Sequence, residues 1–231
     1  MRLSVSIMAH PVRQEAAEYV QDKLGGNASI VYDTNPVPSA DKKQRWANGR
    51  RAWEAADSSA DFHMVIQDDV LVAGNLIAGL EKALDVLGPD GLVSAYTGTG
   101  RPDQFTIRRK LRDAAARGES WIHTGLLYWG PAIIAPVYTI EDMLDWSEKY
   151  ASLNKPPRSN YDYAIGAFYK YEMGWRCWYT APSLVDHRGL PSLVGHDTGP
   201  VRKAHNFLGE DGDALTVDWT KTPKGGLVPY L

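Results

Sequence analysis

Asp68 and Asp69 stand side by side in the segment from Phe62 to Val72, FHMVIQDDVLV, directly after an apolar run. Met64, Val65 and Ile66 read as a strand, so both carboxylates fall at its C-terminal edge. Strands buried on both faces of a parallel sheet show as short continuous apolar runs, and ligands of open α/β sheets bind beyond the carboxyl ends of such strands. Adjacent carboxylates repel each other unless a cation or a set of hydrogen-bond donors offsets the charge. Hard divalent ions such as Mg²⁺ and Mn²⁺ prefer oxygen ligands, and a divalent ion carrying a diphosphate suits the pair. A local role competes with this one: either acid could cap the helix expected near Asn75, or close a turn.

The elements that would position the pair follow from hydrophobic spacing. Leu3 to Met8 is a β-branched and apolar run ending at Ala9, His10 and Pro11, which makes it a first strand with its exit loop. From Arg13 to Leu24, Ala16, Ala17, Val20 and Leu24 recur at helical spacing until Gly25 and Gly26 stop the helix. Ala28 to Tyr32 is a second strand that delivers Asp33 to the same edge as His10, and an acid in that position commonly bonds a ribose hydroxyl. The GxGxxG fingerprint of dinucleotide folds is missing after the first strand, which disfavours a Rossmann dehydrogenase. Ser39 to Asp57 reads as a helix in which Trp46, Arg50 and Trp53 share a face, and from it Arg45, Arg50 and Arg51 could reach a diphosphate, or simply face solvent. Leu76, Ile77, Leu80, Leu84 and Leu87 form another helical stripe, closed by Gly88 and Pro89, and Leu92 to Tyr96 is a further strand before the loop GTGRP. Four strand and helix alternations predict a parallel sheet covered on both faces.

Composition narrows the class. With 231 residues, 44% of them hydrophobic, the chain can bury one substantial core, and a net charge of −3 argues against a general polyanion binder. Charge is uneven locally: Asp41 to Arg51 holds five Lys or Arg against one Asp, and Arg101 to Arg117 six against two. Such clusters are usually solvated helix faces, though they could meet phosphates. The single cysteine, Cys177, excludes an intrachain disulfide and a cysteine zinc site. No apolar run approaches the roughly 20 residues of a membrane span, and the N-terminus leads straight into a strand, so the expectation is a soluble cytoplasmic protein. From Gly189 onward the chain is rich in Gly and Pro and builds no large sheet of its own.

The order of a strand ending in AHP, a second ending in Asp33, a helix containing RWANG, and VIQDDV resembles the nucleotide-sugar-dependent glycosyltransferases of the GT-A fold, in particular small bacterial and phage-encoded ones. Three later segments resemble the same family: SWIHTGLLYWGPAII from Ser120 to Ile134, NYDYAIGAFY from Asn160 to Tyr169, and WYTAPSLVDHRGLPSL from Trp178 to Leu193. The resemblance spans about residues 1 to 207. It implies an α/β, GT-A-like (Rossmann-like) domain with a mostly parallel central sheet, helices on both faces and a loop-rich C-terminal tail over residues 208–231. It implies a UDP or GDP sugar as donor, Mn²⁺ or Mg²⁺ as cofactor, a hydroxyl acceptor, and host cytoplasm as the location if the chain is phage-encoded. On the same resemblance Ala9, His10, Pro11, Arg13, Asp33, Arg45, Trp46, Gly49, Gln67 and Asp68 hold the nucleotide sugar. Trp129, Gly130, Tyr161 and Arg188 line the sugar and acceptor pocket, and His196 and Arg202 belong to a lid. The motif departs from the family in reading QDDV, two adjacent acids where a spacer is usual. Asp69 is the expected direct ligand, with Asp68 a second ligand or a contact to ribose or sugar.

The chemistry of such a reaction assigns the remaining roles. Negative charge accumulates on the departing diphosphate, and a divalent ion there acts as a Lewis acid. Two carboxylates and one imidazole would give that ion a mixed shell. His187 supplies the imidazole on this reading; a plain surface loop histidine is the alternative, and His196 beside Asp197 competes for the role. His10 and His123 fit pocket or packing positions. Asp162 is the candidate general base of an inverting transfer, at a helix start where capping would also explain it. The acceptor stays open between a nucleic acid with hydroxylated bases, which the basic segments would suit, and a protein or glycan. A nucleotidyltransferase is the second function class, although AHPVRQE lacks the glycines of its phosphate loop; a non-catalytic nucleotide-sugar binding module is the third.

Overall fold

The computed structural model describes residues 1–38, 41–100, 104–191, 193 and 202–230. At its centre β1 (Leu3–Ala9) lies parallel to β3 (Phe62–Gln67), with Leu3 opposite Phe62 and Met8 opposite Gln67, and β2 (Ser29–Tyr32) flanks β1 on the outside. The sheet continues through β5 (Leu92–Ser94), β6 (Trp121–Thr124), β7 (Ala132–Pro136) and β8 (Cys177–Thr180), in the order β2-β1-β3-β7-β5-β8-β6. Among the described residues, five strands point one way, while β6 and β7 run against their neighbours. The central sheet is thus α/β and mostly parallel by direction, as the sequence predicts. The antiparallel insertion of β7 between β3 and β5 is the departure. Ala132 to Pro136 is buried at every position, and such an unbroken apolar run reads alike whichever way its strand points.

Helices cover both faces. α1 (Gln14–Lys23) and α3 (Leu76–Leu87) send Ala17, Val20, Leu76, Leu80 and Leu84 against Ile7, Met64, Ile66 and Val93. α2 (Lys42–Glu54), α4 (Gln104–Arg117), α5 (Ile140–Leu153) and α6 (Tyr161–Tyr171) pack Trp53, Ile107, Met143 and Phe168 against Val65, Ile133 and Ala135. Strand β3 shows why its sequence lacks polar alternation: Phe62, Met64 and Ile66 face one layer, and His63 and Val65 the other. Each fully buried aliphatic side chain in these layers contributes roughly 1.5–3 kcal/mol. Of the helix expected from Ser39 to Asp57, Ser39 and Ala40 lie outside the described residues; α2 begins at Lys42, where the Asp41 carboxylate accepts the Lys43 N–H, and ends at Glu54.

Two further features bear on the site. β4 (Val70–Val72) leaves the central sheet and pairs antiparallel with β9 (Val185–His187) in a separate two-stranded ribbon, with Val70 opposite His187. The C-terminal segment packs back on the domain: Ala214 seats on Gly79 of α3, and buried Trp219 accepts the Trp121 indole N–H on its carbonyl. Among the described residues no helix is long and apolar enough to cross a membrane.

Candidate active site

The β1–β3 register sets His10 and Asp68 just beyond two adjacent strand ends, and the His10 N–H donates to Asp68 Oδ2 at 2.9 Å. A single turn from Pro11 to Arg13 then swings Arg13 back over the acids. Its Nη1 lies 3.0 Å from Asp68 Oδ1 and 3.0 Å from Asp69 Oδ2, and its Nη2 donates to the Pro191 carbonyl. Burial pushes the Asp68 carboxyl up to about 6, with the His10 N–H and Arg13 pulling down and Asp69 adding to the rise. His10 Nδ1 accepts the Val12 N–H at 3.2 Å, and its Nε2 is buried with no hydrogen-bond partner among the described residues.

His187 reaches the acids through the ribbon. The Arg188 N–H donates to the Asp69 carbonyl at 2.8 Å, and His187 Nδ1 lies 3.7 Å from Asp69 Oδ1. The His187 backbone is bonded at both its N–H and its carbonyl, and one neighbouring ring meets the imidazole. Asp186 Oδ1 accepts the N–H groups of His187 and Ala204 at 2.8 and 2.6 Å, Lys203 Nζ donates to the His187 carbonyl at 2.9 Å, and the Tyr96 ring meets the imidazole edge-on at 5.3 Å. Burial holds the ring below its ordinary pKa despite the neighbouring Asp69, so at neutral pH it keeps a lone pair.

This donor set fits a divalent ion in part. A carboxylate oxygen and an imidazole nitrogen 3.7 Å apart can share an ion with bonds of about 2.1 Å. Asp68 has both oxygens engaged by His10 and Arg13. Among the described residues no group of three His, Cys, Asp or Glu side chains converges, and two of them, Asp69 and His187, stand close enough to share an ion.

Asp162 approaches from the start of α6. Its Oδ1 accepts the Tyr163 N–H at 2.8 Å, so it does ease the unpaired amides of the first helical turn, whereas Asn160 makes no side-chain cap bond. Burial pushes its carboxyl up to about 6, opposed by Tyr163, Arg202 and Arg45. The Arg202 charge lowers the pKa of both Asp162 and His187. Gly130 fits between Asp162 and Gln67: a Cβ there would lie 3.5 Å from the Asp162 Cβ and 3.6 Å from Gln67 Nε2. Gly49 is needed for Tyr161, whose ring a Cβ would meet at 2.4 Å, and Trp46 packs edge-on to that ring at 5.1 Å. Half-buried Trp129 meets Tyr96 at 6.2 Å, which continues the row of rings from His187.

Other expected residues sit as follows. The Ala9 carbonyl accepts the Asp33 N–H at 2.8 Å and Asn48 Nδ2 at 3.0 Å, tying the ends of β1 and β2 to α2. Asp33 is 3.9 Å from Arg51. Arg50 is paired with Glu54, Asp145 and Glu148, away from the acids. Arg188 stacks over the Tyr19 ring at 4.1 Å, which turns it toward α1. His196 lies outside the described residues. Tyr96, Asp186, Lys203 and Asn48 were missed by the sequence reading. Asp186 was open to detection as the acid preceding His187; Tyr96 was hidden because an aromatic at a strand end looks like core.

No protein-family model matches the chain, and no curated protein matches it. Among solved structures it is similar to a glycosyltransferase involved in glycosylation of the major capsid of PBCV-1, at 14% identity over 84% of this chain and 97% of that one, with a TM-score of 0.39. It is also similar to the galactosyltransferase LgtC solved with donor and acceptor sugar analogues, at 14% identity over 72% of this chain and 69% of that one, with a TM-score of 0.37. At such values the functional reading stands on the site itself.

Proposed function

We propose that the chain is a metal-dependent glycosyltransferase that moves a sugar from a UDP or GDP donor to a hydroxyl acceptor with inversion. The observation that carries this reading is the approach of His187, at the end of β9, to 3.7 Å from Asp69, in the turn between β3 and β4. An ion held there would neutralise charge on the leaving diphosphate. His187 stays neutral and is kept in place by Asp186 and Lys203. Asp162 accepts the acceptor hydroxyl proton while that oxygen bonds to the anomeric carbon, and the diphosphate leaves with the electron pair of the broken bond. Arg202 and Arg45 keep Asp162 ionised against burial.

The basic segments support a glycan or protein acceptor over a nucleic acid. Helix α2 covers β1 to β3 and α4 covers β6, at opposite ends of the sheet. On α2, Arg50 and Arg51 face acids; on α4, Arg112 and Arg117 do so too.

The test is a thermal-shift panel of nucleoside diphosphates with and without Mn²⁺, on wild type and Asp69→Ala. Wild type should be stabilised much more by UDP or GDP with the metal than without it, and Asp69→Ala should lose that metal-dependent gain together with donor hydrolysis. Nucleotide stabilisation that ignores both the metal and Asp69 would refute the reading.

A further inference from the structure

Arg13 supplies a positive charge to the acid pair before any ligand arrives. One nitrogen bridges Asp68 and Asp69 at 3.0 Å each, the other is bound by the Pro191 carbonyl, and the side chain is only 11% exposed. These are ion pairs largely removed from water, unlike solvated surface contacts. We propose that Arg13 is an exchangeable counter-cation: in the donor-free protein it occupies the acid pair and keeps divalent ions weakly bound, and the diphosphate of an arriving nucleotide draws it off and admits the ion.

The proposal rests on the transferase reading above, and its physical basis is charge competition. An ion ligated by Asp69 would share that carboxylate with the guanidinium, and like charges on one acid repel strongly where water is scarce. Diphosphate oxygens accept guanidinium N–H groups in the same forked geometry that carboxylates do, so the nucleotide offers Arg13 an equivalent partner. Asp68 keeps the His10 N–H on its other oxygen, so the strand ends remain joined after Arg13 leaves. Ion and nucleotide therefore bind with positive coupling, which by linkage is the same read from either ligand.

The experiment measures free Mn²⁺ by paramagnetic resonance as it is titrated with the full chain, with and without saturating UDP or GDP. Wild type should bind Mn²⁺ alone weakly and gain roughly tenfold or more with nucleotide. Arg13→Gln should bind Mn²⁺ alone roughly tenfold more tightly than wild type, show little further gain with nucleotide, and bind metal-free nucleotide more weakly. A purely structural Arg13 would lower both affinities on removal. Arg13→Lys, which keeps the charge, should stay a weak binder of Mn²⁺ alone, and Arg13→Met, which removes it, carries the comparison if the Gln variant does not fold. Equal Mn²⁺ affinity in wild type and the charge-removing variant overturns the role of Arg13 and leaves the transferase reading standing. No Mn²⁺ binding by any of them even with nucleotide present overturns that reading, and the proposal with it.

Discussion

The helix-start bond of Asp162 and the general-base role proposed for it separate under substitution. As the group that bonds the Tyr163 N–H at a helix start, its loss should cost about 1 kcal/mol of stability. As a general base, its loss should cost roughly a hundredfold or more in kcat. Asp162→Asn preserves size and one acceptor, so the expected result is a nearly unchanged melting temperature with a collapsed kcat; full activity with a lowered melting temperature would leave only the capping role. Because burial holds this carboxyl up near 6, the ionised base disappears as pH falls through that value. The rate should drop about tenfold per pH unit below it. A flat profile down to pH 5 would mean that another group takes the proton.

At the scale of elements, the site depends on two small junctions. The β4–β9 ribbon brings His187 to Asp69, and the contact of α2 with α6 seats Tyr161 against Trp46 and Gly49 and so fixes the start of α6, where Asp162 lies. Gly49 makes the second junction: the ring that its absent Cβ would strike at 2.4 Å belongs to a side chain packed between Trp46 and the helix. Gly49→Ala should therefore push α6 away, destabilising the fold by about 1–3 kcal/mol and lowering kcat as Asp162 shifts with its helix. Urea denaturation and a kinetic assay on the same preparation check this. A stability loss without any kinetic change would show that the base does not depend on this packing.

At the scale of the whole molecule, a buried histidine in the core makes stability depend on pH. His63 is fully buried on β3, with Ser4 Oγ 2.8 Å from Nδ1 and the Ala52 carbonyl 2.9 Å from Nε2, and burial lowers its pKa to about 4. The unfolded chain binds that proton near pH 6.5 and the folded chain does not, so stability is lost as pH falls from 6.5 toward 4, by roughly 3 kcal/mol in all. Asp68 and Asp162, both raised to about 6, act in the opposite sense over the same range. The quantity to measure is accordingly the difference in urea stability between wild type and His63→Gln at pH 7 and pH 4.5, which should narrow at the lower pH. Core packing of this kind was legible from sequence only in outline. The apolar periodicity of α1 and α3, the strand ends at His10 and Asp68, and the start of α6 were readable because each is a local pattern of a few residues. Strand direction at β7, the departure of β4 from the main sheet and the bridging of both acids by Arg13 were not, because each joins segments far apart in the chain. By itself the sequence determined which residues carry charge at the strand ends and which runs must be buried. Only the tertiary structure decided that Arg13 faces both carboxylates and that His187 meets Asp69, since register and direction between distant strands are settled by packing two layers of helices against one sheet.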